Sequence, residues 1–276
     1  MLTAAVLRTM NASARLATTA FEGGWAFAAA GATDAKWANS RLWDGNPALD
    51  GIRFALERAM LAACEQGRGL AELARSTHGY TVALATLARG TVEALARADW
   101  ILSSATADEL LVRHACLEHA DLRYPEQHQL QVHHRGSGDF EKVPVAEYRQ
   151  RIADFLVSFG LSLTKTGITE LATRLLNEIY REAPELYSGM SAAAHGQGWA
   201  TGNFFDSKQR KLQRDDQMLI EYCAYAIETT IQVSDKLLTR LVPDRAGVDR
   251  WTSERDQVLI QLDVILKRRD HPVPVT

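Results

Sequence analysis

The chain has 276 residues, 46% hydrophobic and 24% charged, a length and balance that build a core without metal or disulfide and exclude general disorder. A net charge of −3 and a pI near 6.3 exclude a global basic field that would draw the chain to nucleic acid or anionic lipid. No apolar stretch approaches the roughly 18 residues of a membrane span and no hydrophobic signal core opens the sequence, so a cytoplasmic protein without membrane partners is expected.

Apolar residues recur at helical spacing almost everywhere and period-two alternation is scarce, which predicts an all-α multi-helix bundle with long helices. A first helix is expected over about 2–30, weakened by Gly23-Gly24, followed by a loop carrying Trp37 and Trp43. Asn46-Pro47 has the form of a cap and first helical position, opening a second helix that Gly67 and Gly69 should break or bend. A third helix is expected over about 79–103, and Thr106-Ala107-Asp108-Glu109 matches a capping box opening a fourth.

Tyr124 to Lys142 contains Pro125, Gly136 and Gly138 with little periodicity, and predicts a long central loop. Helices follow from Pro144 to Phe159, over about 168–182, and from Pro184 to a Gly196 cap; a Gly-rich loop then reaches about 212. The clearest amphipathic stripe runs through Ile220, Cys223, Ile227, Ile231, Leu237 and Leu241 to a stop at Pro243. A last helix over about 249–269 presents Val258, Leu262 and Ile265. These elements divide into residues 1–46, a main bundle over 47–270 with its loop at 124–143, and a tail at 271–276.

Cys64, Cys116 and Cys223 are odd in number and far apart, so they predict buried thiols and no disulfide framework. Two helices depart from the ordinary pattern. The third has a core stripe of Leu84, Leu87, Thr91, Leu95, Ala98 and Leu102, yet its opposite face carries Val82, Ala85, Ala96 and Trp100 around Arg89 and Glu93. A helix apolar on two faces is buried on both, which turns Arg89 and Glu93 inward as a pair. Between Leu186 and Phe205, twenty residues hold no Asp, Glu, Lys or Arg. Within them Tyr187, Ser191 and His195 fall at i, i+4 and i+8, on one side of a helix.

The run Arg89-Gly90-Thr91-Val92-Glu93, with the later Tyr187-x3-Ser191-x3-His195-Gly196, resembles a group of uncharacterised, largely actinobacterial helical proteins with Arg-x3-Glu and Tyr-x3-Ser-x3-His-Gly helices. It is also reminiscent of abortive-infection proteins and HEPN helical domains, many of which are metal-independent ribonucleases using an Arg and a His. The Arg-to-His spacing of that class occurs at Arg113–His119 and Arg123–His128, about as often as chance supplies it in a chain this rich in both residues.

No Glu-x-x-His pair, P-loop, His-Glu-x-x-His or Gly-x-Ser-x-Gly is present. His114 with Glu118, and His128, His133 and His134, lack a complete ligand shell, so no metal or other cofactor is expected. Asp215-Asp216 suits a helix N-terminus better than magnesium. The favoured expectation is a buried small-molecule site in which His195, Glu93 and Tyr187 do acid–base work, Arg89 and Ser191 bind the ligand and Trp100 walls it. A HEPN-like ribonuclease acting on RNA and a non-catalytic interaction protein are the alternatives, and a homodimer stays open.

Overall fold

Helical periodicity becomes helix in most of the residues that the computed structural model describes, which are 1–22, 31–76, 80–135, 140–180, 185–213, 215–241 and 245–270. In chain order, α1 (Leu2–Glu22), α2 (Ala48–Ala74), α3 (Thr81–Leu102), α4 (Ala107–Asp121) and a short α5 (Arg123–Gln127) precede a hairpin of β1 (Gln131–Arg135) and β2 (Phe140–Pro144). There follow α6 (Val145–Ser158), α7 (Ile168–Ile179), α8 (Leu186–Ala194), the four-residue α9 (Gly198–Thr201) and the two-residue strands β3 (Phe205–Asp206) and β4 (Lys211–Leu212). The long helices α10 (Asp216–Arg240) and α11 (Arg245–Asp270) complete an all-α multi-helix bundle. No helix among the described residues is long and apolar enough to cross a membrane.

α3 is a central helix, packed by α2, α4, α7, α8 and α10. That explains why its sequence is apolar on more than one face. α10 is buried almost all round: Tyr222 through Ile227 are all buried, as are Thr229, Thr230, Val233 and Ser234, so the predicted single stripe understates it. α1 joins the same apolar core through Met10 and Leu16, and the Ser13 and Ser234 hydroxyls, both fully buried, meet at 2.8 Å. All three cysteines are buried.

Several local expectations hold. Thr106 accepts from the Glu109 backbone N–H at 3.2 Å, and Glu109 in return accepts from the Ala105 N–H at 2.6 Å, a capping box displaced by one residue at its second bond. Asp215 caps α10 by accepting from the Met218 N–H at 2.9 Å. α8 ends in a Schellman motif: Gly196 has φ +64°, its N–H reaches Ala193 O at 3.0 Å, and the Gln197 N–H reaches Ala192 O at 2.9 Å. Gly is the residue that takes this left-handed geometry without strain.

Others are corrected. The first helix is described over Leu2–Glu22, and the rest of its expected span, 23–30, lies outside the described residues, as do Pro184 and Pro243. Pro47 stands one position before the first helical residue, Ala48, and Asn46 makes no side-chain cap. α2 passes through Gly67 and Gly69 unbroken. Gly67 instead gives Met10 room, since a Cβ there would fall on the Met10 thioether. The expected central loop is α5 plus a hairpin, whose Val143 is buried beside Val145; its few apolar residues are too sparse to read as alternation. The Gly-rich loop before 212 is also built, from α9, a single 3-10 turn and the β3–β4 pair.

Candidate functional site

α8 packs against α3 and brings together the residues singled out on both. The Arg89 Nε donates to Glu93 Oε1 at 2.7 Å, one helical turn away. The Tyr187 hydroxyl donates to the same oxygen at 2.6 Å. Arg89 Nη1 reaches His195 Nε2 at 2.7 Å. A guanidinium only donates, so in this contact His195 accepts at Nε2. The chain of bonds is therefore Tyr187 to Glu93 from one side and Arg89 to Glu93 and His195 from the other.

The electrostatics follow from partial burial. Arg89 and Glu93 keep 22% and 23% of their side-chain surface. Burial works against the Arg89 charge, but the bonds and charges of Glu93 and Tyr187 outweigh it and raise its pKa. Burial, with Glu93 beside it, also raises the Tyr187 hydroxyl above its ordinary range, which keeps it a donor at neutral pH. His195 is exposed, as are Gly196, Gln197, Gly198 and Trp199. The charge-free stretch is thus buried at positions between Tyr187 and Ala193 and again at Phe204, with an exposed segment between them, a correction to the expectation that much of it lies inside. Exposure costs little at Gly196, Gln197 and Gly198, which carry no large apolar surface; Trp199 and, further on, Phe205 are exposed aromatics.

Of the six residues expected at the site, four converge. Ser191 does not join them: its backbone oxygen accepts the His195 N–H at 3.0 Å, and among the described residues no hydrogen bond ties its hydroxyl to the other site residues. Trp100 is no wall of this site either. It lies under the guanidiniums of Arg113 and Arg174, 4.0 and 4.7 Å from its ring centroid, and its Nε1 is buried without a hydrogen-bond partner among the described residues. Beside it is an ion cluster that sequence reasoning missed. Asp99 is fully buried and paired with Lys236 and, at 3.1 Å, with Arg174 Nη2. On a helical projection Asp99 borders the core stripe of α3, which was the available signal.

Next to the converged residues is a cavity of about 660 Å³ between α2, α3, α4 and α6. Ala55, Ala59 and Ala62 of α2 leave the room for it. Glu93 lines this cavity. Its Oε1 is held by two donors, while Oε2 accepts no side-chain hydrogen bond among the described residues. His114, Glu118 and Tyr148 line another part of the wall; sequence reasoning weighed His114 and Glu118 only as a metal pair. His114 stacks on Trp43, ring centroids 5.4 Å apart, and Trp43 Nε1 donates to Glu118 Oε2 at 2.7 Å.

The Arg-to-His spacings do not make a second centre. Arg113 is committed to Glu109 and to the Trp100 carbonyl oxygen at 2.6 Å, whereas His119 lies against Arg149 at 3.4 Å. His128 packs on Tyr124, ring centroids 4.2 Å apart. The side chains of His133 and His134 lie outside the described residues, and among the described residues no three His, Cys, Asp or Glu side chains converge as metal ligands would. Comparison with known proteins gives no matching family model, no matching curated protein and no matching solved structure.

Proposed function

We propose that this chain binds a small polar molecule in the cavity between α2, α3, α4 and α6, with Glu93 as the hydrogen-bonding or acid–base group at its wall. One observation carries this: Glu93 lines the cavity with one carboxylate oxygen held by Arg89 and Tyr187 and the other without a side-chain hydrogen bond among the described residues. Such a carboxylate is oriented before a ligand arrives, which is what a positioned acceptor or general base requires. In this reading Arg89 and Tyr187 hold Glu93, and His195 links the site to solvent through Arg89. No metal takes part.

The test is equilibrium dialysis of the purified protein against a bacterial metabolite extract, with bound compounds identified by mass spectrometry. A compound enriched on the wild type, lost on Ala59→Phe, which fills the cavity, and weakened on Glu93→Gln supports the reading. Equal recovery on wild type and Ala59→Phe, or no enrichment at all, rejects it. A ribonuclease is the second reading, favoured by the Arg89–His195 pair lying at an exposed helix end. RNA degradation lost in both Arg89→Ala and His195→Ala, with binding falling steeply as salt rises, would put that reading first. If neither activity nor binding is found and Glu93→Gln only lowers stability, the four residues serve to fix how α8 sits on α3.

A further inference from the structure

Two glycines fix how α2 and α3 lie against each other. Gly69 of α2 faces Leu87 of α3 at 3.4 Å, and Gln66 of α2 faces Gly90 of α3, so the two helices run antiparallel. The Gln66 carboxamide occupies the place that a side chain at position 90 would need: a Cβ there would overlap its oxygen, carbon and nitrogen. Glycine is unfavourable in a helix interior relative to alanine; at position 90 it leaves a seat for a polar group. On α2 the cavity face reads Ala55, Ala59, Ala62 and Gln66, at i, i+4, i+7 and i+11, three methyls and then one carboxamide. Glu93 stands at i+3 from Gly90, where helical neighbours meet, so the seated carboxamide lies beside the Glu93 carboxylate, and both residues line the cavity. Gln66 makes no side-chain hydrogen bond among the described residues, and no polar atom of Gln66 or Glu93 is among those sealed away without a partner.

We propose that Gln66 and Glu93 form one subsite of the cavity, which binds neighbouring hydroxyls of a polyol or sugar ring. This rests on the reading of the cavity as a ligand site. The Glu93 charge is already met by the Arg89 guanidinium at 2.7 Å, and the next cation along α3, Arg97, is spent on both oxygens of Asp121 at 2.6 and 2.7 Å. What the second Glu93 oxygen lacks is therefore a donor, not a counter-charge. A carboxamide both donates and accepts. A hydroxyl does the same, so it meets Gln66 whichever way the amide is turned, while its neighbour on the ring donates to Glu93. The alanine methyls of α2 leave apolar surface for the C–H face of such a ring, and about 660 Å³ is ample for it.

Three probes on one six-membered ring separate the possibilities: cis-cyclohexane-1,2-diol, cyclohexanol and cyclohexylammonium. Each is titrated into protein labelled with ¹³C in alanine methyls and ¹⁵N in glutamine side chains. The methyls of Ala59 and Ala94, which line the cavity, report occupancy, and the Gln66 amide reports the subsite. The diol should move both sets of signals and bind about fivefold or more tighter than cyclohexanol, the ratio that one added hydrogen bond commands. Gly90→Ala, which unseats the carboxamide and leaves Glu93 in place, should abolish that preference while cyclohexanol still moves the methyls. Gln66→Met, which keeps the side chain's length without its amide, should do the same and decides the matter if Gly90→Ala disturbs the fold. Equal binding of diol and cyclohexanol, or a preference that survives Gln66→Met, would show that Gln66 merely packs on Gly90. Cyclohexylammonium binding as tightly as the diol would show that Glu93 seeks a cation, and the hydroxyl subsite is then wrong although the cavity remains a ligand site. If no probe moves the alanine methyls, the cavity reading fails and the subsite with it.

Discussion

An ordinary histidine takes up its proton near pH 6.5, whereas His114, desolvated inside the bundle, does so only near about 4. Between those values the unfolded chain holds a proton at this position that the folded chain lacks, so stability rises with pH across the window. The native advantage is complete above about pH 6.5 and declines by about 3 kcal/mol as the pH falls to about 4. Urea denaturation of the wild type and His114→Phe across pH 4 to 7 should show the wild type losing this extra stability and the variant lacking that component. Parallel losses in the two proteins would mean that His114 protonates normally when folded. The same residue marks how far a sequence carries. His114 and Glu118 are visibly one turn apart, but their environment is made by Trp43, which arrives from a loop 71 residues upstream and leaves no periodic signal. Arg89, Glu93, Tyr187 and His195 were legible because each pair lies on one helix or at its capping residue, where spacing fixes the face. That rule gives direction around the helix and not position along it. Trp100 shares a face with Glu93 but stands two turns further on, where α7 and α4 supply Arg174 and Arg113 in place of α8.

Glycine at helical positions shows the same division for whole elements. Two glycines two residues apart in α2 invite the inference of a break, yet the helix is continuous from Ala48 to Ala74. What separates them is the neighbour each faces. Gly67 is buried under the Met10 side chain of α1, and a Cβ there would meet three of its atoms. Gly69 faces only the end of Leu87, at 3.4 Å, an ordinary contact. Alanine should therefore act with opposite sign at the two sites. Gly69→Ala should stabilise by up to about 1 kcal/mol through helix propensity, while Gly67→Ala should cost a net 1–2 kcal/mol or so, because Met10 is fully buried and has nowhere to relax. Thermal or urea unfolding of the two variants decides this, and stabilisation by Gly67→Ala would show that α1 and α2 are loosely packed. The helix pattern, the capping box before α4 and the cap after α8 were legible because their chemistry is local. The β1–β2 hairpin and the unbroken α2 were not, since both depend on what packs against them.

At the scale of the molecule, the buried faces and buried ion pairs meet on α3 and α10. Asp99 of α3 pairs with Lys236 of α10 and Arg174 of α7, Glu93 of α3 is tied to Tyr187 of α8, and Ser13 of α1 bonds Ser234 of α10. Opening any one of these helices alone would strand buried charge or hydroxyl on its partners, so they should open together. α11 differs. Its buried residues among those described are Trp251, Val258 and Leu262, and its polar ties to α10, Trp251 and Arg255 to Asp235, and to α1, Glu254 to Arg15 and Gln257 to Arg8, fall in its first half. Beyond Leu262 no described residue is fully buried, and the half-buried Leu266 is what still packs on the core. Native-state hydrogen exchange with increasing denaturant should then show amides of α1, α3 and α10 exchanging through one global opening with a shared free energy and denaturant slope. Amides after Leu262 should exchange through a local opening that denaturant scarcely affects. The arrangement of α1 is the sharpest part of this expectation. Met10 fills the space left by Gly67 and Ser13 reaches into α10, so residues of the first helix should share the global isotherm. If α1 instead opens at a lower free energy of its own, with α3 and α10 still protected, it is a separable layer over a smaller cooperative bundle.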